Sequence, residues 1–218
     1  LTNGAFDISI AALDRIWVFD GSMTTLPSEV AIQNSIRNVG YQHIQLDSLN
    51  STIYLTKPGM KIGFGSIGKG YAADRGRLLM QQSGVKAGIV NASGDLSAWG
   101  SEPNGKVWKI GITHPFKVHK LLKILKLRDE QSVATSGSYE KYVEIDGKRY
   151  AHIINPTTGY PSTGLTSVTV IGPTAEIANM LSTSVMVLGA KRGRKLLQQH
   201  TNYQSIIITD QGKVRKSK

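Results

Sequence analysis

The sequence predicts an α+β fold, a mixed or antiparallel sheet core with helices packed on it. Three observations carry this. Short apolar runs with strand-like alternation outnumber helical patterns, and several follow one another directly in the chain. Asp146-Gly147 lies between two such runs as a type I′ hairpin turn. The strict strand–helix alternation of a parallel sheet is missing. The 218 residues, 40% of them hydrophobic, suffice for one domain over 1–218 with a real core.

Taken in order, residues 7–18 and 28–39 read as helices, the second with Ser28 as N-cap, Glu29 in its first turn and Gly40 as its stop. "HIQLD" and "TIYLT" are short strands around a Ser/Asn turn. Residues 67–82 carry Ile67, Tyr71, Leu78 and Leu79 at helical spacing and end before Gly84. "AGIVNASGDL" reads as a buried strand with a turn, and "VWKIGIT" as another strand. "VATSGSYEKY" opens as a hydroxyl-rich turn, and "YVEIDGKRYAHII" is the hairpin. "LTSVTVIG" is a strand, a helix runs from Thr174 to Leu188 with Gly189 at its end, and "YQSIIITDQGKV" closes as strand and turn. There is no internal repeat and no low-complexity linker.

The absence of cysteine excludes disulfides, thiolate metal ligands and a cysteine nucleophile. No apolar run reaches the length of a membrane-spanning helix. The formal charge of +11 is uneven: residues 1–57 hold three Lys/Arg against five Asp/Glu, and residues 58–218 hold 23 against 10. Such a field suits nucleic acid, anionic lipid or a phosphorylated ligand, or serves only solubility. The basic clusters "KRGRK" and "KVRKSK" lack interleaved aromatics, so no nucleic-acid partner is expected.

"GFGSIGKGYAADR" matches two nucleotide-binding patterns and satisfies neither. A P-loop needs Ser or Thr after its Lys to ligate magnesium, and here Gly70 follows Lys69. A dinucleotide fingerprint needs a preceding apolar strand and an acidic residue about twenty positions on, and both are missing. What survives is the physics of glycines before a helix, where bare backbone N–H groups can approach an anionic ligand.

Six ordered stretches, "GAFDISIAALDRIWVFDG", "GFGSIGKGYAAD", "NASGD", "VATSGSYEKY", "HIINPTTGYP" and "ANMLSTSVMVLG", together resemble the FAD:protein FMN transferase (ApbE-type) family over nearly the whole chain. The resemblance implies an α+β, T-fold-like flavin transferase architecture without the family's N-terminal part, which would leave a sheet edge open and the adenine pocket half built. It implies Mg²⁺-dependent transfer of FMN from FAD to a Ser/Thr hydroxyl of an acceptor protein, with release of AMP. The alternatives are an FAD pyrophosphatase or a non-catalytic FAD-binding protein. It also implies a periplasmic lipoprotein at the bacterial inner membrane, anchored through an upstream segment.

Residue by residue, the resemblance places His152 as the group that assists the attacking hydroxyl. It places FAD against Ala5, Phe6, Asp7, Gly63, Ser66, Lys69, Thr135, Ser136, Gly137, His152 and Val168. It assigns magnesium to Ser66, through its backbone carbonyl, and to Asn179, Ser182 and Thr183. Asn179 and Thr183 are i and i+4 on the 174–188 helix and share a face. Two departures stand out: Asn179 and Gly63 occupy positions where the family carries Asp, and an amide offers a hard cation oxygen without charge. Asn91 and Asp95 match a family turn, and Asn155 reads as a structural Asx-Pro turn.

Overall fold

The computed structural model describes residues 2–13, 16–117, 119–139 and 141–217. Its centre is a six-stranded sheet in the order β12-β11-β10-β7-β4-β3, antiparallel at every pairing. The strands are β3 (Gly88–Ala92), β4 (Asp95–Trp99), β7 (Ser132–Gly137), β10 (Leu165–Gly172), β11 (Gln204–Thr209) and β12 (Val214–Ser217). Three two-stranded ribbons surround it: β1 (Ile44–Asp47) with β2 (Thr52–Leu55), β5 (Trp108–Thr113) with β6 (Leu121–Leu127), and β8 (Tyr142–Ile145) with β9 (Lys148–Ala151). The helices are α1 (Glu29–Ser35), α2 (Gly68–Gln82) and α3 (Ala175–Gln198).

Strand alternation sends successive side chains to opposite faces, and the two faces of the sheet are covered differently. On one face, Ala134, Val168 and Val170 pack under Ala178, Leu181 and Val185 of α3. On the other, Leu96, Val133, Ile171 and Ile206 meet Ile112, Leu125 and Leu127 of the β5–β6 ribbon. A third cluster joins Trp17 and Ile32 to Val143, Ile145 and Tyr150 of the β8–β9 hairpin.

Local signals hold where a cap or turn carries them. Ser28 accepts the Ala31 N–H at the start of α1, and Asp146 and Gly147 both take positive φ in the expected hairpin turn. Asn155 closes an Asx turn by accepting the Thr157 N–H.

Two expectations are corrected. The helix expected over 7–18 is only a 3₁₀ segment, Ile8–Ala12, with Asp14 and Arg15 outside the described residues. Leu13 turns extended (ψ 126°), and Trp17 is drawn into the third cluster, its indole N–H donating to the Gly159 carbonyl. The hydroxyl-rich stretch 132–137 is a central strand rather than a turn, because β10 pairs with it along its whole length, β4 pairs with Ser132 and Val133, and the Asp95 carboxylate accepts the Thr135 N–H. Gly189 stops the expected helix after Leu188 with a non-helical, positive-φ backbone (φ 71°, ψ 172°), and a further helical stretch, not expected, resumes beyond the kink to Gln198. "LLKILKL" forms β6, which strict alternation does not reveal because Ile124 faces solvent.

Candidate functional site

The N-terminus of α2 approaches α3 as closely as backbone allows. A Cβ at Gly70 would stand 2.3 Å from the Ala175 carbonyl oxygen, so only glycine permits the contact. One turn further, the buried Asp74 carboxylate reaches across to the start of α3. Its two oxygens accept the Ala175 N–H at 3.0 Å and the Glu176 N–H at 2.9 Å. Thr174, the residue at the N-cap position, makes no side-chain cap of its own. Asp74 therefore caps α3 from another helix, and it also accepts the Ser97 hydroxyl at 2.9 Å, tying both helices to β4.

This docking opens a cavity of about 410 Å³ between the glycine loop, the end of β7, the middle of α3 and the N-terminal segment. Ala5, Phe6 and Asp7 form one wall, Gly63, Ser66 and Lys69 a second, and Thr135, Ser136 and Gly137 the floor. His152 closes one end, while Asn179 and Thr183 descend from α3. Every residue that the resemblance assigns to FAD, to magnesium or to the attacking hydroxyl, except Val168 and Ser182, lines this one space.

The two exceptions have simple geometry. Val168 is fully buried on β10, opposite Ser136 in the register, where it belongs to the core cluster that packs against α3 and does not reach the cavity lining. It is a core residue, not a cavity wall. Ser182 is also fully buried; its hydroxyl donates to the Asn179 carbonyl at 3.0 Å and pairs with the Ser136 hydroxyl at 2.8 Å. It bolts α3 to β7 behind the cavity. The helix rotation of 100° per residue puts Asn179 and Thr183 on one face and Ser182 beside it.

Asp7 works mainly as scaffold. One carboxylate oxygen accepts both the amide and the hydroxyl of Ser9, and the other accepts the Tyr41 N–H at 2.8 Å. Lys69 extends from the first turn of α2 to within 3.5 Å of the fully buried Asp95 carboxylate, which holds the ammonium at the cavity wall. The N-terminus of α2 has no side-chain cap; the Ile67 and Gly68 amides donate to the Phe64 carbonyl, so the helix offers an anion its dipole and Lys69 rather than its very first amides.

His152 has a defined tautomer. Its Nδ1 lies 3.1 Å from the Lys141 carbonyl, which can only accept, so Nδ1 carries the proton and Nε2 keeps its lone pair. Phe19 stands edge-on to the ring at 6.5 Å.

Asn179 is 2% exposed, and its Oδ1 has no hydrogen-bond partner among the described residues. A buried, unpaired amide oxygen on a cavity wall is costly in isolation and fits a site that receives a cation. Thr183 Oγ1, one turn on, shares the wall and contacts the Ser136 hydroxyl at 3.2 Å. Among the described residues no three His, Cys, Asp or Glu side chains converge as a metal cage.

Sequence reasoning did not single out Ile10, Ala11, Ile153, Ile154, Pro156 and Val187, the apolar part of the lining. Nor did it single out Asp74, an acid one turn after Gly70 on the helix face that also buries Ala73 and Arg77.

A residue set gathered this way around an uncapped helix start defines a site for an anionic, partly apolar ligand. Comparison with known proteins places it more narrowly. The model of the ApbE family matches residues 1–207, and the chain belongs to that family. It is 36% identical over 203 residues to an FAD:protein FMN transferase of Klebsiella pneumoniae, covering 91% of this chain and 58% of that protein. An FAD:protein FMN transferase of Escherichia coli K12 is 34% identical over the same shares. The chain thus spans about 58% of the length of these curated relatives. The crystal structure of an ApbE protein from Thermotoga maritima superposes with a TM-score of 0.89 at 35% identity, over all of this chain and 71% of that one. The apo flavinyl transferase ApbE of Pseudomonas stutzeri gives 0.81 at 32% identity, over 99% of this chain and 67% of that one.

Proposed function

We propose that this chain binds FAD in the 410 Å³ cavity and transfers its FMN moiety to a Ser or Thr hydroxyl of an acceptor protein, releasing AMP. One observation carries the reading: the uncapped start of α2, Lys69, His152 and the unpaired Asn179 oxygen all face the same space. The positive end of the α2 dipole and the Lys69 ammonium hold the pyrophosphate, since phosphoryl transfer asks for position and positive charge before covalent chemistry. The apolar residues around Phe6 and Ile10 provide a surface for the isoalloxazine ring.

In the step itself, the acceptor hydroxyl oxygen bonds to the FMN-side phosphorus and the P–O bond to AMP breaks. Nε2 of His152, the ring nitrogen not held by the Lys141 carbonyl, takes the hydroxyl proton. AMP departs with the pyrophosphate bridging oxygen. Asn179 Oδ1, Thr183 Oγ1 and the Ser66 carbonyl would hold Mg²⁺, all oxygen donors as a hard cation requires. Bound there, the ion would neutralise charge developing on the phosphates. With only neutral protein donors, its retention leans on the substrate's own phosphates. The periplasmic, lipid-anchored location implied by the resemblance is part of the same proposal.

The neutral donor set also favours a second reading, a flavin-binding protein that releases FMN and AMP slowly or not at all. Incubation with FAD, Mg²⁺ and an acceptor from the same cell, followed by AMP chromatography and in-gel flavin fluorescence, separates them. His152→Ala should slow transfer by about 10²–10⁴-fold while FAD still binds. Parental transfer rates in that variant remove His152 from the mechanism.

A further inference from the structure

The β5–β6 ribbon carries a charge that the cavity does not use. Residues 106–128 contain six Lys and one Arg and not one Asp or Glu. The acids flanking this stretch are committed elsewhere: Asp129 accepts the Gly100 N–H, and Glu130 accepts the Gln81 amide. Among the described residues, none of the seven cations is in a salt bridge.

The inner face of the ribbon is fully explained, since Ile112, Leu125 and Leu127 cover the second core cluster. The outer face is not. Lys109 and Lys126 stand directly opposite each other in the register, both exposed, and like charges placed so are destabilising. Beside them Ile124 (55% exposed) pairs with Gly111, and Leu121 (57% exposed) lies over that same glycine, where a Cβ would approach its side chain to 2.8 Å. The ribbon turn adds exposed Phe116, flanked by exposed Lys117 and Lys120. The result is an apolar outcrop of Leu121 and Ile124 within a field of lysines.

We infer that this outer face docks onto an anionic lipid surface. The chemistry distinguishes a bilayer from an acidic polypeptide. The cations placed on this face and its turn, Lys109, Lys126, Lys117 and Lys120, are all Lys, mobile point charges that suit many interchangeable headgroups, whereas carboxylate recognition favours the planar fork of Arg. Exposed aliphatic side chains between the lysines gain by entering the headgroup–acyl boundary, as in interfacial segments that combine basic and apolar contacts. The unpaired charge and the exposed apolar area are thus met by a single occupant. The inference does not depend on the reading of the cavity.

Vesicle co-sedimentation of the chain tests it. The chain should partition onto phosphatidylcholine–phosphatidylglycerol vesicles and not onto phosphatidylcholine alone. Binding should weaken as salt rises from about 0.1 M to about 1 M, where the screening length falls from about 10 Å to about 3 Å. Each lysine near such a surface strengthens partitioning about fivefold, so the double variant Lys109→Gln/Lys126→Gln should lose about thirtyfold. A control with the same charge change on α3, Lys191→Gln/Lys195→Gln, should lose much less. Leu121→Ser/Ile124→Ser should weaken vesicle binding but leave binding to soluble polyglutamate unaltered. Circular dichroism of each variant establishes that it is folded, and the intact chain's lipid and salt dependence stands whether or not a variant folds. Equal binding to both vesicle types, equal losses in the two charge variants, or no effect of the apolar substitutions would overturn the inference. The last result would assign the face to an acidic polypeptide instead.

Discussion

Removing the Asp74 carboxylate should loosen the site without touching its walls. In Asp74→Ala, the Ala175 and Glu176 amides and the Ser97 hydroxyl lose a charged acceptor in a location that is 8% exposed. Hydrogen bonds to a charged group contribute about 1.5–3 kcal/mol each, but they do not add fully, and water can reach a newly opened gap. A total of about 3–5 kcal/mol is expected, in the range of a broken buried network. In Asp74→Asn one oxygen remains as acceptor and the new NH₂ opposes a backbone N–H, so about 2–3 kcal/mol is expected, with the lost attraction to the α3 dipole included. Urea unfolding of the three proteins measures this through the midpoint at unchanged m. FAD affinity should fall as well, because Asp74 sets the approach of α2 and α3, and with it the gap between Ser66 and Asn179. An Asp74→Asn protein within about 0.5 kcal/mol of the parent would refute the reasoning, since that is the range of surface substitutions.

Three further outcomes follow from the same geometry. Gly70→Ala gains about 1 kcal/mol of helix propensity but drives a methyl against the Ala175 carbonyl, so a net loss of about 1–3 kcal/mol is expected in urea unfolding. Asn179→Asp buries an unpaired carboxylate, so Tm should fall without metal and recover beyond the parent in millimolar Mg²⁺; an equal fall in both conditions removes the metal site. The Tyr160 hydroxyl donates to Glu29 at 2.6 Å and is the main cause of a Glu29 pKa below its usual 4.5, aided by Gln33. Because the folded value is depressed, this contribution is present above pH 4.5 and fades as pH falls through the folded value. In Tyr160→Phe, Glu29 should titrate higher by NMR, and an unmoved titration would contradict the assignment.

The sequence by itself determined whatever rests on contacts a few residues apart or on motif order. Ser28 at the head of α1, the Asp146-Gly147 turn and the Asx turn at Asn155 each need only local backbone chemistry, and each is where it was expected. The order of six motifs was enough for the family and for most of the cavity wall. Tertiary structure decided the rest, for reasons of packing. Residues 132–137 look like a turn because Ser, Thr and Gly favour one locally, yet β10 pairs with all of them and β4 with the first two, which makes them a central strand of the sheet. Ser182 and Thr183 adjoin in sequence, but helix geometry turns one behind the cavity and the other into it. Val168 alternates in a strand like any wall residue, and only the helix laid over it makes it core. Asp74 is an ordinary acid on α2 until the fold brings the start of α3 against it, 101 residues away in sequence. Local chemistry can write a cap or a turn in advance; which buried donor meets which distant acceptor depends on how the layers close.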